Sequence, residues 1–382
     1  MKKFLLAFIA ITLVVVSSLG LFACNDGGEG ETPANGGLIL TRYNGDDFYT
    51  VTGYDEETTA TKLVIPAKAE DGIAIKSIAS GALDGCSFEE IEIASSIEEI
   101  GEGAFKNATK LKKITLPFVG KYFNADAYPN QSAEGNGEVI DGDFSAVKAV
   151  DDQRSFGYIF STESYSGAVQ TSSSLGTYYL PATLRTVVIN PKAEYEIPMQ
   201  AFDSLLIVQQ VILNDNVVGI GEGAFKNTRL LRVEIPASVT NIYDSAFEGA
   251  TVTVFKFDED SNLQELSDKV FFDAKIREIA IPNSVKIIGE ECFAATVTTS
   301  NDVDTSTSIL EKVTLPQDLT MIKRSAFKNC FDLKTVVTSG VQNAGQIVIE
   351  DYAFLNCKKL ATMDKTIFKS IPDSAFLGTL VA

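Results

Sequence analysis

Histidine and tryptophan are both missing from this 382-residue chain. The first absence removes the side chain most often used as a general base near neutral pH and as a metal ligand. The second removes one favoured interface anchor, although 24 Phe and 12 Tyr remain. Positive charge is scarce as well. The chain has 32 Lys and Arg against 51 Asp and Glu, a formal net charge of −19. A field of that sign repels phosphate backbones and anionic bilayer surfaces, which argues against nucleic acid as a partner. HExxH, GxSxG, P-loop and CxxC motifs are absent, and no pair of carboxylates stands out for glycosidic chemistry. The chain is therefore expected to be non-catalytic, with no metal and no cofactor.

A long apolar run occurs only once. Lys2 and Lys3 precede Phe4 to Val16, and Ser17 to Ala23 lead to Cys24. Positive, then apolar, then small is the order of a secretory signal. No later run reaches transmembrane length, so the remainder is expected to be exported. Leu21-Phe22-Ala23-Cys24 resembles the bacterial lipobox. That resemblance implies transfer of diacylglycerol to the Cys24 sulfur and cleavage before it, although Phe22 is bulkier than the usual residue there. Residues 25–37 are polar and glycine-rich and cannot pack. The expectation is a signal peptide over 1–23 and a tether over 24–37. The protein then sits in the bacterial envelope, facing the outside or the periplasm, with its N-terminal lipid as the membrane contact.

What is plentiful is a repeated phrase: Ala-Phe, two spacers, then a small residue. Ala104-Phe105-Lys106-Asn107-Ala108 recurs at Ala224-Phe225-Lys226-Asn227-Thr228 and at Ala326-Phe327-Lys328-Asn329-Cys330. Weaker copies begin at Ala82, Ala201, Ala246, Val270, Cys292, Ala353 and Ala375. Several neighbouring copies lie about 22 to 24 residues apart, a period that marks a solenoid whose repeats bury their apolar faces only against each other. Hydrophobic residues make up 45% of the chain, so the core this needs is available.

One coil can be read residue by residue. Lys113 to Leu116 alternates with period two and predicts a short strand, which Pro117 stops because proline has no N–H for a ladder. Leu231 to Pro236, Ile276 to Pro282 and Leu310 to Pro316 follow the same plan. A second apolar pair comes next, as in Val239 and Ile242 or Val285 and Ile288, and then the Ala-Phe phrase, read as a short helical or 3-10 turn. The Phe rings are expected to stack along the axis. Cys86, Cys330 and Cys357 fall in the small slot and Cys292 in the preceding Ala slot, so all behave as small buried hydrophobes. A disulfide between Cys330 and Cys357 is the alternative that an oxidising compartment leaves open.

The phrase Ile-Gly-Glu-Gly-Ala-Phe-Lys-Asn at 100–107 and again at 220–227, followed by Leu-x-x-Ile/Val-x-Leu/Ile-Pro, resembles the BspA-type, or Treponema-type, leucine-rich repeat. The likeness covers roughly 60–117 and 181–382. It departs from the common leucine-rich pattern in placing Pro where an Asn ladder would follow the strand. The resemblance implies an α/β, β-rich, right-handed solenoid with a parallel sheet on one face. It also implies a bacterial surface protein, some relatives being adhesins or binders of host proteins.

Outside the repeats, 38–66 predicts an N-terminal β cap with a hairpin turn at Asn44-Gly45. Repeats are expected over 67–117 and 181–382. Between them, 118–180 is an insertion rich in Tyr, Phe, Gly and Ser. Tyr158, Phe160 and Tyr165 are its candidate ligand-binding residues, because solenoid insertions often project from the binding face. The competing reading is that its aromatics pack a small subdomain or pad the flank. Thr296 to Ser308 reads as a solvated loop, and Asp141-Gly142-Asp143 as a turn or a weak calcium candidate. Asp258 to Asn262 begins like an EF-hand loop, but Leu263 and Lys269 stand where Gly and Glu are required. Exposed strand positions such as Arg232/Glu234 and Lys312/Thr314 mix signs and read as a solvated face. The function expected is protein interaction or adhesion, with binding of glycan or peptidoglycan as the alternative.

Overall fold

The computed structural model describes residues 37–123, 153–301 and 303–381. The chain enters through a hairpin in which β1 (Leu38–Thr41) lies antiparallel to β2 (Tyr49–Tyr54), turning at Asn44 and Gly45. The repeat sheet begins earlier than the expected boundary, at β3 (Lys62–Ile65). There Leu63 and Ile65 are buried and Lys62 and Val64 face out. β5 (Glu90–Ile93), β7 (Lys113–Leu116), β10 (Thr186–Ile189) and β12 (Gln210–Leu213) bury alternate residues in the same way. With the longer β14 (Arg229–Ile235) and β16 (Thr251–Phe257) they form one seven-stranded parallel sheet. A three-stranded sheet of β18 (Glu278–Ala280), β22 (Lys312–Thr314) and β24 (Thr335–Val337) follows.

Most coils carry a second short strand. β4 (Ile75–Ile78) and β6 (Glu99–Ile100) extend the entry hairpin. β11 (Tyr195–Ile197), β13 (Val217–Ile220) and β15 (Asn241–Ile242) form the next group. β17 (Glu265–Leu266), β19 (Ile287–Ile288), β23 (Met321–Ile322), β25 (Ile347–Ile349) and β26 (Phe368–Ser370) form the last. Ile78, Ile220, Ile242, Ile288 and Ile322 point inward from these strands and are buried. Two antiparallel hairpins project from the coils: β8 (Ala168–Ser173) with β9 (Gly176–Pro181), and β20 (Val297–Ser300) with β21 (Val303–Ser306). The second replaces the loop expected at 296–308. Its β-branched Thr and Val suit a strand, and Asp273 clamps its base by accepting from the Thr296 amide at 2.6 Å and from the Thr307 hydroxyl at 2.5 Å.

The Ala-Phe phrase is not a helical turn. Pairs of residues four apart take left-handed φ, as at Gly103 (61°) with Asn107 (57°) and Ser325 (56°) with Asn329 (63°). A helix cannot run through such positions. The alternation instead aims every second amide along the solenoid axis. Leu83 N–H donates to Ala104 O at 2.8 Å, Phe225 to Ala246 O at 2.8 Å and Phe327 to Ala353 O at 2.7 Å. The amides between them close i to i+3 turns, as Ala104 N–H does on Gly101 O at 3.2 Å, so axial and local bonds alternate along this face. Asn tolerates the left-handed region better than most residues, which accounts for Lys-Asn within the phrase.

Inside this cage the Phe rings stack. Centroids lie 5.1 Å apart for Phe202–Phe225 and Phe225–Phe247, 5.0 Å for Phe293–Phe327 and 4.9 Å for Phe327–Phe354, with interplanar angles of 9°, 6°, 3° and 4°. Each contact adds about 0.5–1.5 kcal/mol beyond the area it buries. Cys86, Cys292, Cys330 and Cys357 are buried free thiols between the coils. Cys330 Sγ donates to Phe293 O at 3.0 Å and Cys357 Sγ to Phe327 O at 3.1 Å, so these two do not form the alternative disulfide.

Both sheets break at one junction. β16 meets the next coil only through the bridge Thr251–Lys275, and β15 is not paired with β17. At that junction Phe255 occupies the strand slot held elsewhere by Ile114, Val187, Val211 or Val233. Its ring wedges edge-on against Phe247 and Phe271, 5.1 Å from each. The Phe247–Phe271 spacing widens to 5.7 Å. The turn-side bonds continue unbroken, with Phe247 N–H on Val270 O at 2.9 Å.

Candidate binding surface

Two of the three insertion residues expected to meet a ligand are buried. Phe160 is fully buried and Tyr158 is 9% exposed. Phe156–Ile159 form a 3-10 turn whose first amides are capped by Ser155. Gly103 N–H donates to Tyr158 O at 3.0 Å, Phe105 to Ile159 O at 2.9 Å, and Phe156 to Ala201 O at 2.8 Å. Ring contacts run Phe105–Phe160 (6.2 Å), Phe160–Phe156 (5.2 Å) and Phe156–Phe202 (5.2 Å). The insertion thus supplies a missing rung of the spine, while β7 pairs directly with β10 beside it. Close packing reaches Gly157, where a Cβ would sit 2.3 Å from the Tyr178 ring. Tyr165 is half-buried, and its hydroxyl is enclosed without a hydrogen-bond partner. Burial raises its ionisation above the ordinary phenol range. Tyr158 and Phe160 are therefore core residues, which corrects their assignment to a ligand face. Cys24 and Asp141 to Asp143 lie outside the described residues.

The outward face of the long sheet is mostly self-compensated. Lys62 pairs with Glu92 at 2.9 Å, and Lys113 with Glu90 at 2.8 Å. Such exposed pairs contribute about 0–1 kcal/mol each and leave no free charge for a ligand. Toward β16 the face changes character. Val188 stands beside Ile212 across the β10–β12 pair, and Ile212 is 37% exposed. The pairing of β12 with β14 is confined to Gln210–Arg232. Asn214, after β12, donates to Ile189 O, whereas Pro236, after β14, has no N–H to offer β12. A cleft of about 410 Å³ opens at these strand ends.

Apolar Ile212, Leu213, Ile235, Pro236 and Phe257 line it together with Arg232, Glu234, Lys256, Asp258 and Glu259; of the apolar set, Leu213 and Ile235 are buried in the core and Ile212 is exposed. Arg232 and Glu234 are paired, and Arg232, with a smaller contribution from Lys256, holds the Glu234 carboxyl below its ordinary range. Asp258 and Glu259 are exposed and make no ion pair among the described residues. Asp258 Oδ1 accepts from the Asp260 amide at 2.9 Å, which fixes its orientation. A second depression, of about 230 Å³, lies on the turn side between Glu290, Glu291, Arg324, Lys328 and Tyr352, with the Arg324 guanidinium 5.6 Å from the Tyr352 ring.

Residues 61–134, 174–300 and 304–381 match the BspA type leucine rich repeat region in six copies, well over half of the sequence. The chain belongs to the BspA-type leucine-rich repeat family.

Several solved leucine-rich repeat proteins are similar to the chain at low identity. A leucine-rich repeat protein of Bacteroides ovatus is 17% identical, with 85% of this chain and 68% of that one covered and a TM-score of 0.37. A leucine rich cell surface protein of Faecalibacterium prausnitzii is 18% identical over 91% and 99% of the two chains, with a TM-score of 0.29. A leucine-rich repeat protein of T. pallidum is 16% identical over 92% and 100%, with a TM-score of 0.22. No curated protein matches the chain. Within the BspA-type coil plan, the cleft residues carry a weak signal in sequence. Ile212 is an apolar residue at an outward strand position, and Asp258 to Asp260 stand out only as a failed calcium loop. No helix among the described residues is long and apolar enough to cross a membrane.

Proposed function

We propose that this protein is a lipid-anchored surface binder that engages another protein through the outward face of β12, β14 and β16, without catalysis. The observation that carries this reading is the cleft beside Ile212, where an exposed apolar side chain stands among charged ones. Protein interfaces combine such groups. Membership of a family of bacterial surface proteins supports the same reading. Cys24 is the lipid acceptor in this proposal, and the polar segment after it gives the solenoid reach from the bilayer. The test of anchoring is incorporation of labelled fatty acid into the full chain. Label should be lost in Cys24→Ala, and retained label would remove the anchor. The test of the surface is capture of envelope and host-matrix proteins by wild type and by Ile212→Lys. Identical capture by both would move the interface off the sheet.

A second reading, glycan binding, is favoured by the Tyr352 depression. There an aromatic ring lies between carboxylates and cations, a combination suited to sugar hydroxyls. Binding to a glycan array that is lost in Tyr352→Ala and kept in Ile212→Lys would establish it.

A further inference from the structure

We infer that the occupant of the β12–β14–β16 cleft is an extended protein segment that places a basic side chain next to an apolar one, an inference that rests on the protein-binding reading above. The size of the site comes first. About 410 Å³ accommodates a few side chains of a projecting loop or tail and not the flat face of a folded domain. The lining sets the apolar half. Ile212 is exposed on an outward strand position and Pro236 is half-buried in the same lining, so a partner's aliphatic or aromatic side chain gains by covering them.

Charge sets the other half. Arg232 is paired with Glu234, and Lys256 stands opposite Glu234 across β14 and β16, which leaves one excess positive charge in this row. The exposed carboxylates beyond it outnumber that charge. Asp258 and Glu259 remain at one end, with Asp260 next in the chain and no described cation paired to them. The chain's overall charge of −19 adds to the same field. A lysine or arginine arriving there is attracted, and an acidic peptide, a phosphate or a uronic acid is repelled. The Asp258 carboxylate is already held by the Asp260 amide, so less ordering is needed on binding. The cation therefore belongs at the Asp258 end and the apolar side chain over Ile212 and Pro236.

The test is selection of a random peptide library on the immobilised full chain, with Asp258→Asn/Glu259→Gln and Ile212→Ser as parallel baits. Both variants alter outward side chains, and circular dichroism checks that each is folded. The expected result is enrichment of Lys or Arg adjacent to an apolar residue on wild type. The most enriched peptide should weaken by about tenfold or more in the carboxylate variant and with rising salt. Selected peptides without that pairing, or with affinity unchanged in Asp258→Asn/Glu259→Gln, overturn the inference. If those peptides still depend on Ile212, the protein-binding reading stands without it. Peptides indifferent to Ile212→Ser, or no enrichment on any bait, overturn both.

Discussion

Phe156 and Phe202 lie ring to ring with centroids 5.2 Å apart, although the chain between them makes the β8–β9 hairpin and a strand of each sheet. The contact makes Phe156, within the 118–180 segment, part of the solenoid core. Phe156→Ala should therefore destabilise the protein by about 3–5 kcal/mol, as for a large aromatic removed from a packed interior. Replacing 118–180 with a short Gly/Ser linker should cost more, since Phe105 and Phe202 would both lose a neighbour. Thermal unfolding of the two variants checks this. A deletion variant as stable as wild type would make the segment an appendage.

The buried thiols predict an alkaline limit. Burial pushes the Cys86 thiol up to about 11 and the Cys330 thiol up to about 12, from an ordinary value of 9.0. A group whose ionisation is raised by folding favours the native state below its unfolded value, and that contribution is lost as pH rises through the folded value. Stability should therefore fall from about pH 9 to about pH 12. In Cys330→Ala that part of the fall should be reduced, against the cost of a small cavity. Denaturant midpoints across this range measure it. At neutral pH all four thiols should resist alkylation until the chain unfolds.

Glu196 is a neutral-pH liability in the same terms. Its carboxyl is raised by burial, with a smaller opposing effect of the Tyr243 hydroxyl 3.5 Å away. A raised carboxyl favours folding while protonated, and the benefit is lost as pH rises through its folded value. Glu196→Gln keeps an acceptor for Tyr243 and removes the half-buried charge. It should raise stability near pH 7, with the gain shrinking toward pH 4. A variant less stable than wild type at pH 7 would contradict this.

The break at Phe255 predicts two regions of protection. Amides of β16 face a gap where β7 and β10 have partners on both sides. Hydrogen exchange should be faster in β16 and β18 than in β7 and β10, because sheet edges open at lower free energy. Uniform protection from β3 to β24 would show one cooperative unit across the junction.

Much of this fold was legible because its period is carried by local apolar spacing. Ile114, Val187 and Val233 declare strands by alternation, and the Phe of each phrase declares the spine. The turn geometry was not legible. Its left-handed positions are filled by Lys269, Glu291 and Tyr352 as well as by Gly and Asn, and the bonds that hold them come from the next coil. The role of Phe156 and Phe160 depends on β7 pairing with β10, a contact between residues far apart in the chain. Their aromatic character was visible, but its destination was not. The cleft at Ile212 arises from a register lost between strands, which single-strand patterns do not encode.

The turn-side columns have an electrical consequence. The peptide unit joining Ala104 to Phe105 accepts from Leu83 on one side and donates to Ile159 on the other, and the units at Phe225, Phe247 and Phe327 repeat the orientation. Each unit carries a dipole of about 3.5 D. Aligned coil after coil, they sum along the axis as they do in an α-helix. The solenoid is polarised by its backbone, with the positive pole toward the C-terminal coils, and that polarity persists whatever side chains decorate its surface.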